Sequence, residues 1–370
     1  MPCPTRLTRH EFRRTIRGAV HLLEDASSMS PDSFDVERSD VTIIVAPRER
    51  FEQATMSLLS CFDTADLPFR MIYVDGGSPK AIADDLKEEV EKRGHAYIRR
   101  PGYITPNDAR NTALPMVDTK YVVFIDNDVA FAPGWLSTLV KCAEETGAGL
   151  VAPTILVGPE ARMPDLKVHH AGSIVKLTDT GHGRDMYRHH CFEHEQYLAC
   201  KNELVRKETD ATEFHVVLAR SELLEQIGPL DPNLVGFTDE IDLAFKARER
   251  GWSIWFEPAS VVVYAVAKKF TWREIPFFCL RWNSARCLKS ERYFYKKWNL
   301  VPEFQRQRRF LRDHRRHVFP FKKMQKVIGW RATVTLTTLV CEMIAFAASV
   351  RFLRPDNSPL PISSAVAKQV

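Results

Sequence analysis

Tyr121 to Asp128 reads YVVFIDND, an apolar run that ends directly in Asp-Asn-Asp. A strand covered on both faces is a near-continuous hydrophobic run, and in open α/β sheets ligands bind just beyond the carboxyl ends of such strands. The pattern therefore predicts a central strand that presents Asp126 and Asp128 where a substrate would sit. If the extended geometry continues, residues two apart share a face, and two carboxylates there offer oxygen ligands to Mg²⁺ or Mn²⁺ and a bound diphosphate. An Asx turn that merely closes the strand is spelled with the same letters.

Similar runs lie on either side. Val41 to Pro47 (VTIIVAP), Phe69 to Asp75 (FRMIYVD), Ala96 to Pro101 (AYIRRP) and Gly149 to Leu156 (GLVAPTIL) read as strands, and AIADDLKEEVEKRG reads as an intervening helix stopped at Gly94. Strand and helix in alternation predict an α/β fold with a mostly parallel sheet and right-handed crossovers. Residues 1 to about 38 read as a helical arm and polar linker. Residues 157 to 212 break the alternation as a polar, loop-rich insertion over a site, before FHVVLARSELLEQIG resumes a strand and helix.

The strand ends carry further polar groups. Asp75 with Gly76 and Gly77 closes the second run, where glycine permits close backbone approach to a ligand, though a turn accounts for it equally. Asn107-Asp108-Ala109-Arg110-Asn111 opens a helix that Asp108 could cap, with Arg110 as a planar donor to a diphosphate. Thr238-Asp239-Glu240-Ile241-Asp242 puts acids in the first turn of another helix. The positive helix end alone favours acids there, while a carboxylate beside an acceptor hydroxyl could take its proton.

At 370 residues, 45% hydrophobic and 27% charged, the chain is globular, and its net charge of +5 does not argue for nucleic acid. The eight cysteines show no C-x-x-C pair and read as reduced thiols of a cytoplasmic protein. The basic, mixed N-terminus TRLTRHEFRRTIRGAV lacks the apolar region of a secretory signal.

In order, VTIIVAPRER, IYVDGGS, PNDARNTAL, FIDNDVAFAPGWL and ARSELLEQIGPLDPNLVGFTDEIDLAFKARERGWSIWFEPASVVVY resemble the family 2 glycosyltransferases of the GT-A fold, over about Val41 to Tyr264. The resemblance implies a GT-A domain over 39–300, flanked by the arm and linker (1–38), a basic then apolar helical extension (301–354) and a flexible tail (355–370). It also implies transfer of a sugar, with inversion, from a nucleotide diphosphate donor of the UDP-sugar class to a hydroxyl on a glycan, lipid-linked or protein acceptor. Pro47, Asp75, Arg110 and Asp126 would line the nucleotide pocket, Asp128 and Asp126 would hold Mn²⁺ or Mg²⁺, and Glu240 or Asp239 would be the general base. Two positions depart from the family pattern. Ala265-Val266-Ala267 stands where a metal-binding His is usual, so metal binding would rest on Asp128, the diphosphate and water, or a side chain brought from elsewhere. Gly76 stands where an acid or Asn is common.

Phe278-Cys-Leu-Arg281-Trp282 is similar to the Q-x-x-R-W element of processive synthases, with Phe for Gln. No uninterrupted apolar stretch of about 20 residues reads as one of the several spans such enzymes carry, which favours a non-processive transferase with RWNSARCLKSERYFYKKW closing or packing on the site. A catalytically silent nucleotide-sugar-binding module and a nucleotidyltransferase are the rival readings. The insertion holds a histidine cluster of His169, His170, His182, His189, His190 and His194 near Cys191, in which His190, Cys191 and His194 read as a zinc set, and the cluster otherwise as exposed loop histidines or as acceptor contacts. Beyond Val301, QRQRRFLRDHRRHVFPFKKMQK precedes WRATVTLTTLVCEMIAFAASVRF, interrupted by Arg331 and Glu342. This reads either as helices packed on the domain or as peripheral attachment to an anionic membrane surface.

Overall fold

The computed structural model describes residues 40–352 except 48, 101, 160–164, 237, 267–269 and 317. The expected arm and linker (1–38) and flexible tail (355–370) lie outside the described residues.

The alternation expected for the first half is present. It runs β1 (Val41–Ala46), α1 (Phe51–Thr64), β2 (Arg70–Gly76), α2 (Lys80–Glu91), β3 (Ala96–Arg100), α3 (Pro106–Ala113), β4 (Tyr121–Asp126), β5 (Val129–Phe131), α4 (Trp135–Thr146) and β6 (Leu150–Pro159). The chain continues through β7 (Lys167–His170), a hairpin of β8 (Ser173–Asp179) and β9 (Arg184–His190), β10 (Lys207–Glu208), β11 (Val216–Arg220), α5 (Ser221–Ile227), α6 (Asp239–Glu249) and β12 (Ile254–Val266). It closes with α7 (Ile275–Arg281), α8 (Ser284–Lys297), α9 (Phe304–Arg315) and α10 (Phe321–Phe352). The main sheet has the order β10-β12-β6-β11-β4-β1-β2-β3. β1 pairs in parallel with β2 and β4, and β6 with β12, whereas β11 runs antiparallel between β4 and β6.

Every residue of β1 and β4 is buried, as their unbroken apolar runs require. Successive side chains alternate faces. Ile43, Val45, Val123 and Ile125 pack with Phe51 and Leu58 of α1 and Trp135 and Leu139 of α4, while Ile44, Val122 and Phe124 pack with Ala109 of α3 and Ile241 and Phe245 of α6. Thr105, rather than Asp108, is the N-cap of α3: its hydroxyl accepts from the Asp108 N–H at 3.1 Å and donates to the Asp108 carboxylate at 2.7 Å. The bond from the Asp108 N–H to the hydroxyl is the N-cap half of a capping box, with Pro106 entering the first turn. The Thr238 side chain does not cap α6; only its backbone C=O joins the helix, at Asp242 N–H.

The insertion is more ordered than its composition suggested. β7 extends the sheet from β6, and β8 and β9 form a separate two-stranded ribbon. The C-terminal helices also differ from expectation. Despite Arg331 and Glu342, the helix Phe321–Val350 is long and apolar enough to cross a membrane by length and composition. It is broken at Gly329, whose φ of 76° lies outside helical space. Glu342 turns inward, where its carboxylate accepts from Arg315 and from the Ser284 N–H. Among the described residues the seven cysteines are free thiols.

Candidate active site

Sheet register assembles the site. Ala46 pairs with Asp126, so β1 and β4 end level, and the antiparallel β11 brings its amino end to the same place, with Val216 beside Ile125. The residues leading into β11 therefore stand at the carboxyl end of β4. The His215 C=O accepts from the Asp126 N–H at 3.1 Å, which pins that approach. The chain does not remain extended after Asp126. Asn127 and Asp128 form a turn, from which β5 leaves to pair with β12. The predicted same-face geometry is thus replaced by a bend, yet Asp126 and Asp128 line one cavity of about 510 Å³ together with Glu240, Arg188, His215 and Tyr264.

Arg110 is not turned toward that cavity as a ready diphosphate donor. It is wholly buried, with its guanidinium stacked 3.5 Å from the Phe214 ring centroid. Nη1 donates to Asp239 at 3.0 Å and to Asn107 at 2.9 Å, and Nη2 lies 3.7 Å from Asp126. One buried cation thus joins the two acidic motifs, which are separated by more than a hundred residues. This satisfies two carboxylates that would be costly to bury alone.

Asp239 and Glu240, adjacent in sequence, have different surroundings. Asp239 is held by Arg110, whereas Glu240 lines the cavity and accepts from Arg188 Nη1 at 3.0 Å. Burial pushes the Glu240 carboxyl up to about 7, against the pull of Arg188 and with help from the negative charges of Asp239 and Glu213. A carboxyl at that value ionises near neutral pH, which suits a proton acceptor.

Asp75 and Pro47 stand apart from the residues that line this cavity. The Asp75 carboxylate is buried and accepts from Ser78 N–H at 3.1 Å, Tyr97 hydroxyl at 2.9 Å and Arg99 at 2.8 Å. Pro47 packs on Gly76, where a Cβ would come within 2.9 Å of the Pro47 side chain and 2.8 Å of Ile104. The glycine in place of a larger residue follows from that contact.

The insertion supplies functional groups that sequence reasoning did not single out. From β9, Arg188 reaches both Glu240 and, at 3.5 Å, Glu213. The alternation RDMYRHH over β9 was the available signal, since it puts Met186, Arg188 and His190 on one face. Burial alone would raise the Glu213 carboxyl, but His169 and His215 outweigh it and hold it well below the usual carboxylate range. The zinc set read at His190, Cys191 and His194 is not assembled. The His190 Nδ1 pairs with Ser173 Oγ at 3.0 Å, and His194 is exposed, its Nε2 3.8 Å from Glu193. The aromatic, basic segment after β12 does close the cavity. Arg281 pairs with Glu49 at 2.7 Å, and Phe278, Trp282 and Tyr295 form part of the wall.

Residues 42–211 match the model of "Glycosyl transferase family 2". The uncharacterized protein y4gI of Sinorhizobium fredii is 30% identical over 199 residues, 51% of this chain and 21% of that protein. The pre-mycofactocin glycosyltransferase of Mycobacterium tuberculosis is 24% identical over 229 residues, 61% of this chain and 42% of that protein. The chain thus spans less than half the length of these curated relatives. Among solved structures, GalNAc-T7 with UDP, GalNAc and Mn²⁺ superposes with a TM-score of 0.48 at 14% identity, covering 90% of this chain and 66% of that one. The mannosyltransferase PcManGT from Pyrobaculum calidifontis in complex with GDP-Man and Mn²⁺ gives 0.45 at 16% identity, covering 92% and 96%. The segment that matches glycosyl transferase family 2, residues 42–211, is the one that carries the acidic turn at the end of β4, and the second acidic motif opens α6 beyond it.

Proposed function

We propose that the protein transfers a sugar from a nucleoside diphosphate donor of the UDP-sugar class to an acceptor hydroxyl, with inversion at the anomeric carbon and Glu240 as general base. The observation that carries this reading is the position and acidity of Glu240: its carboxylate lines the cavity that also holds Asp126 and Asp128, and it ionises near pH 7. On that side of the cavity it can accept the proton of an acceptor hydroxyl, and Arg188 stabilises the ionised form. Asp239 is tied to Arg110 and is assigned the positioning of the helix start.

The residues present fit a divalent cation. Asp126 and Asp128 are buried carboxylates at a cavity wall, a hard oxygen donor set suited to Mg²⁺ or Mn²⁺. Such a cation would neutralise charge on the leaving diphosphate. Asp75 and Pro47, level with these strand ends, are proposed to meet the nucleotide from the β1 and β2 side. The decisive assay supplies nucleotide sugars with an acceptor mixture and identifies the released product. Nucleoside diphosphate supports glycosyl transfer; sugar 1-phosphate would instead mean nucleotidyl transfer, and donor binding without turnover would mean a silent module.

The proposed working place is the cytoplasmic surface of a membrane with anionic lipid. Leu336, Leu339, Met343, Phe346 and Val350 form one exposed stripe along α10, while Thr333, Thr337, Cys341, Ala345 and Ala348 turn inward. Exposed Arg308 and Arg309 on α9, and Lys322, Lys323 and Lys326 on the first turns of α10, supply positive charge beside it. An apolar stripe with basic neighbours matches anionic lipid, and a lipid-linked acceptor would be presented there.

A further inference from the structure

The cavity wall carries a second cluster of ligating groups that the transfer reaction does not use. His169 lies on β7, while Glu213 and His215 lie in the approach to β11. His169 Nε2 lies 3.0 Å and His215 Nδ1 3.1 Å from the same oxygen, Glu213 Oε2. One potential ligand atom from each of the three residues lies within 4.8 Å of the others.

We infer that His169, Glu213 and His215 form a binding site for a divalent transition-metal ion of the zinc class, distinct from the all-oxygen Asp126 and Asp128 pair. An ion with bonds of about 2.0–2.1 Å in tetrahedral geometry spaces its ligand atoms by roughly 3.3 Å. The two imidazole-to-carboxylate separations are therefore within a few tenths of an ångström of the required edges. Two imidazoles and one carboxylate select borderline metals over Mg²⁺, which prefers oxygen and retains its water.

The surroundings also resemble a supporting shell. The other Glu213 oxygen is approached by Arg188 at 3.5 Å and by His190 Nε2 at 3.6 Å, and the His215 backbone is held by the Asp126 N–H. The Tyr264 ring packs 4.6 Å from His215, limiting rotation of that imidazole. All three ligands border the cavity, so a fourth position is open to water or to an acceptor group. A metal there would fasten β7 to the β11 approach and fix the wall from which Arg188 reaches Glu240.

The test uses the full chain, stripped with chelator and free of nucleotide, titrated with Zn²⁺ alone in competition with a chromophoric chelator. The expected result is one zinc per chain, with affinity reduced about 100-fold or more in both His169→Ala and His215→Ala and unchanged in Asp128→Ala. Co²⁺ added to the unmutated chain should give the intense visible bands of a tetrahedral complex, a readout that depends on no variant's folding. Absence of stoichiometric zinc together with only weak octahedral cobalt bands would overturn the inference, leaving the trio as a hydrogen-bonded cluster. So would zinc binding indifferent to both histidine substitutions in folded protein, or lost only in Asp128→Ala.

Discussion

Replacing Arg188 by Met tests whether Glu240 is the base and whether its neighbour sets its working pH. The Arg188 and Glu240 side chains meet at 3.0 Å, and the methionine removes the charge while keeping much of the stem. Unit charges about 4 Å apart attract by about 4 kcal/mol at an effective dielectric of ~20 and about 1 kcal/mol in bulk water. The pair borders an open cavity, so about 2 kcal/mol is a reasonable intermediate, equivalent to about 1.5 pKa units. Loss of Arg188 disfavours the ionised carboxylate, so the Glu240 value moves upward from about 7. The ionised share at pH 7 would fall from about one half to a few per cent, so transfer should drop roughly 15-fold there and recover above the new value. The assay is the transfer rate under saturating donor across pH 6 to about 10. An ascending limb that stays in place, or an Arg188→Met variant that loses the same factor at every pH, would rule out Arg188 as the group that sets the working pH of Glu240.

Glu240→Gln should retain donor binding but lose transfer by about 10²-fold or more, whereas Asp239→Asn should remain the more active of the two; the reverse order in a steady-state assay would move the base by one residue. Glu240 also sets a stability slope. Its folded value lies above the ordinary carboxylate value, so the native state binds more protons between roughly pH 4.5 and 7, and stability falls as pH rises through that window. Relative to Glu240→Gln, the unmutated chain should lose up to ~3 kcal/mol between pH 5 and 8 in denaturant melts; a flat difference would show that the carboxyl is not perturbed. Asp128→Ala should abolish the Mn²⁺-dependent part of UDP-sugar binding in calorimetry while the fold persists, and equal metal dependence in both proteins would remove Asp128 from that role. Leu339→Glu combined with Phe346→Glu should release the protein from anionic vesicles in flotation, and salt should weaken the unmutated chain's attachment. If neither matters and the double variant instead changes the sedimentation state, a second copy of the chain covers the stripe.

What could be read from the sequence depended on how each segment is buried. β1 and β4 were legible because both faces are covered, so their letters are apolar throughout, and the acids that follow stand out against them. The β8–β9 ribbon was not legible as strands, since β9 alternates only between exposed and partly buried positions and lacks an apolar face. Its contribution, Arg188 against Glu240, joins residues 52 apart through a hairpin that periodicity alone does not orient. The inward turn of Arg110 was similarly hidden. An arginine near the start of a helix can face a diphosphate or a second carboxylate, and only the packing of Phe214 and Asp239 decides. Arg331 and Glu342 made the C-terminal run look interrupted because the sequence does not reveal that Glu342 folds back onto Arg315.

Arg110 has a consequence for the order of events. It is shared between Asp126, on the proposed donor side, and Asp239, next to the proposed base. Any positive charge that arrives at Asp126 competes for that carboxylate, and the guanidinium can answer only by leaning further toward Asp239. That would ease the negative field felt by Glu240 and make its ionised form cheaper. By reciprocity, a proton leaving Glu240 would strengthen cation capture at Asp126. The two halves of the reaction would then be thermodynamically linked through one side chain, favouring a compulsory sequence in which the donor complex forms before the acceptor hydroxyl gives up its proton.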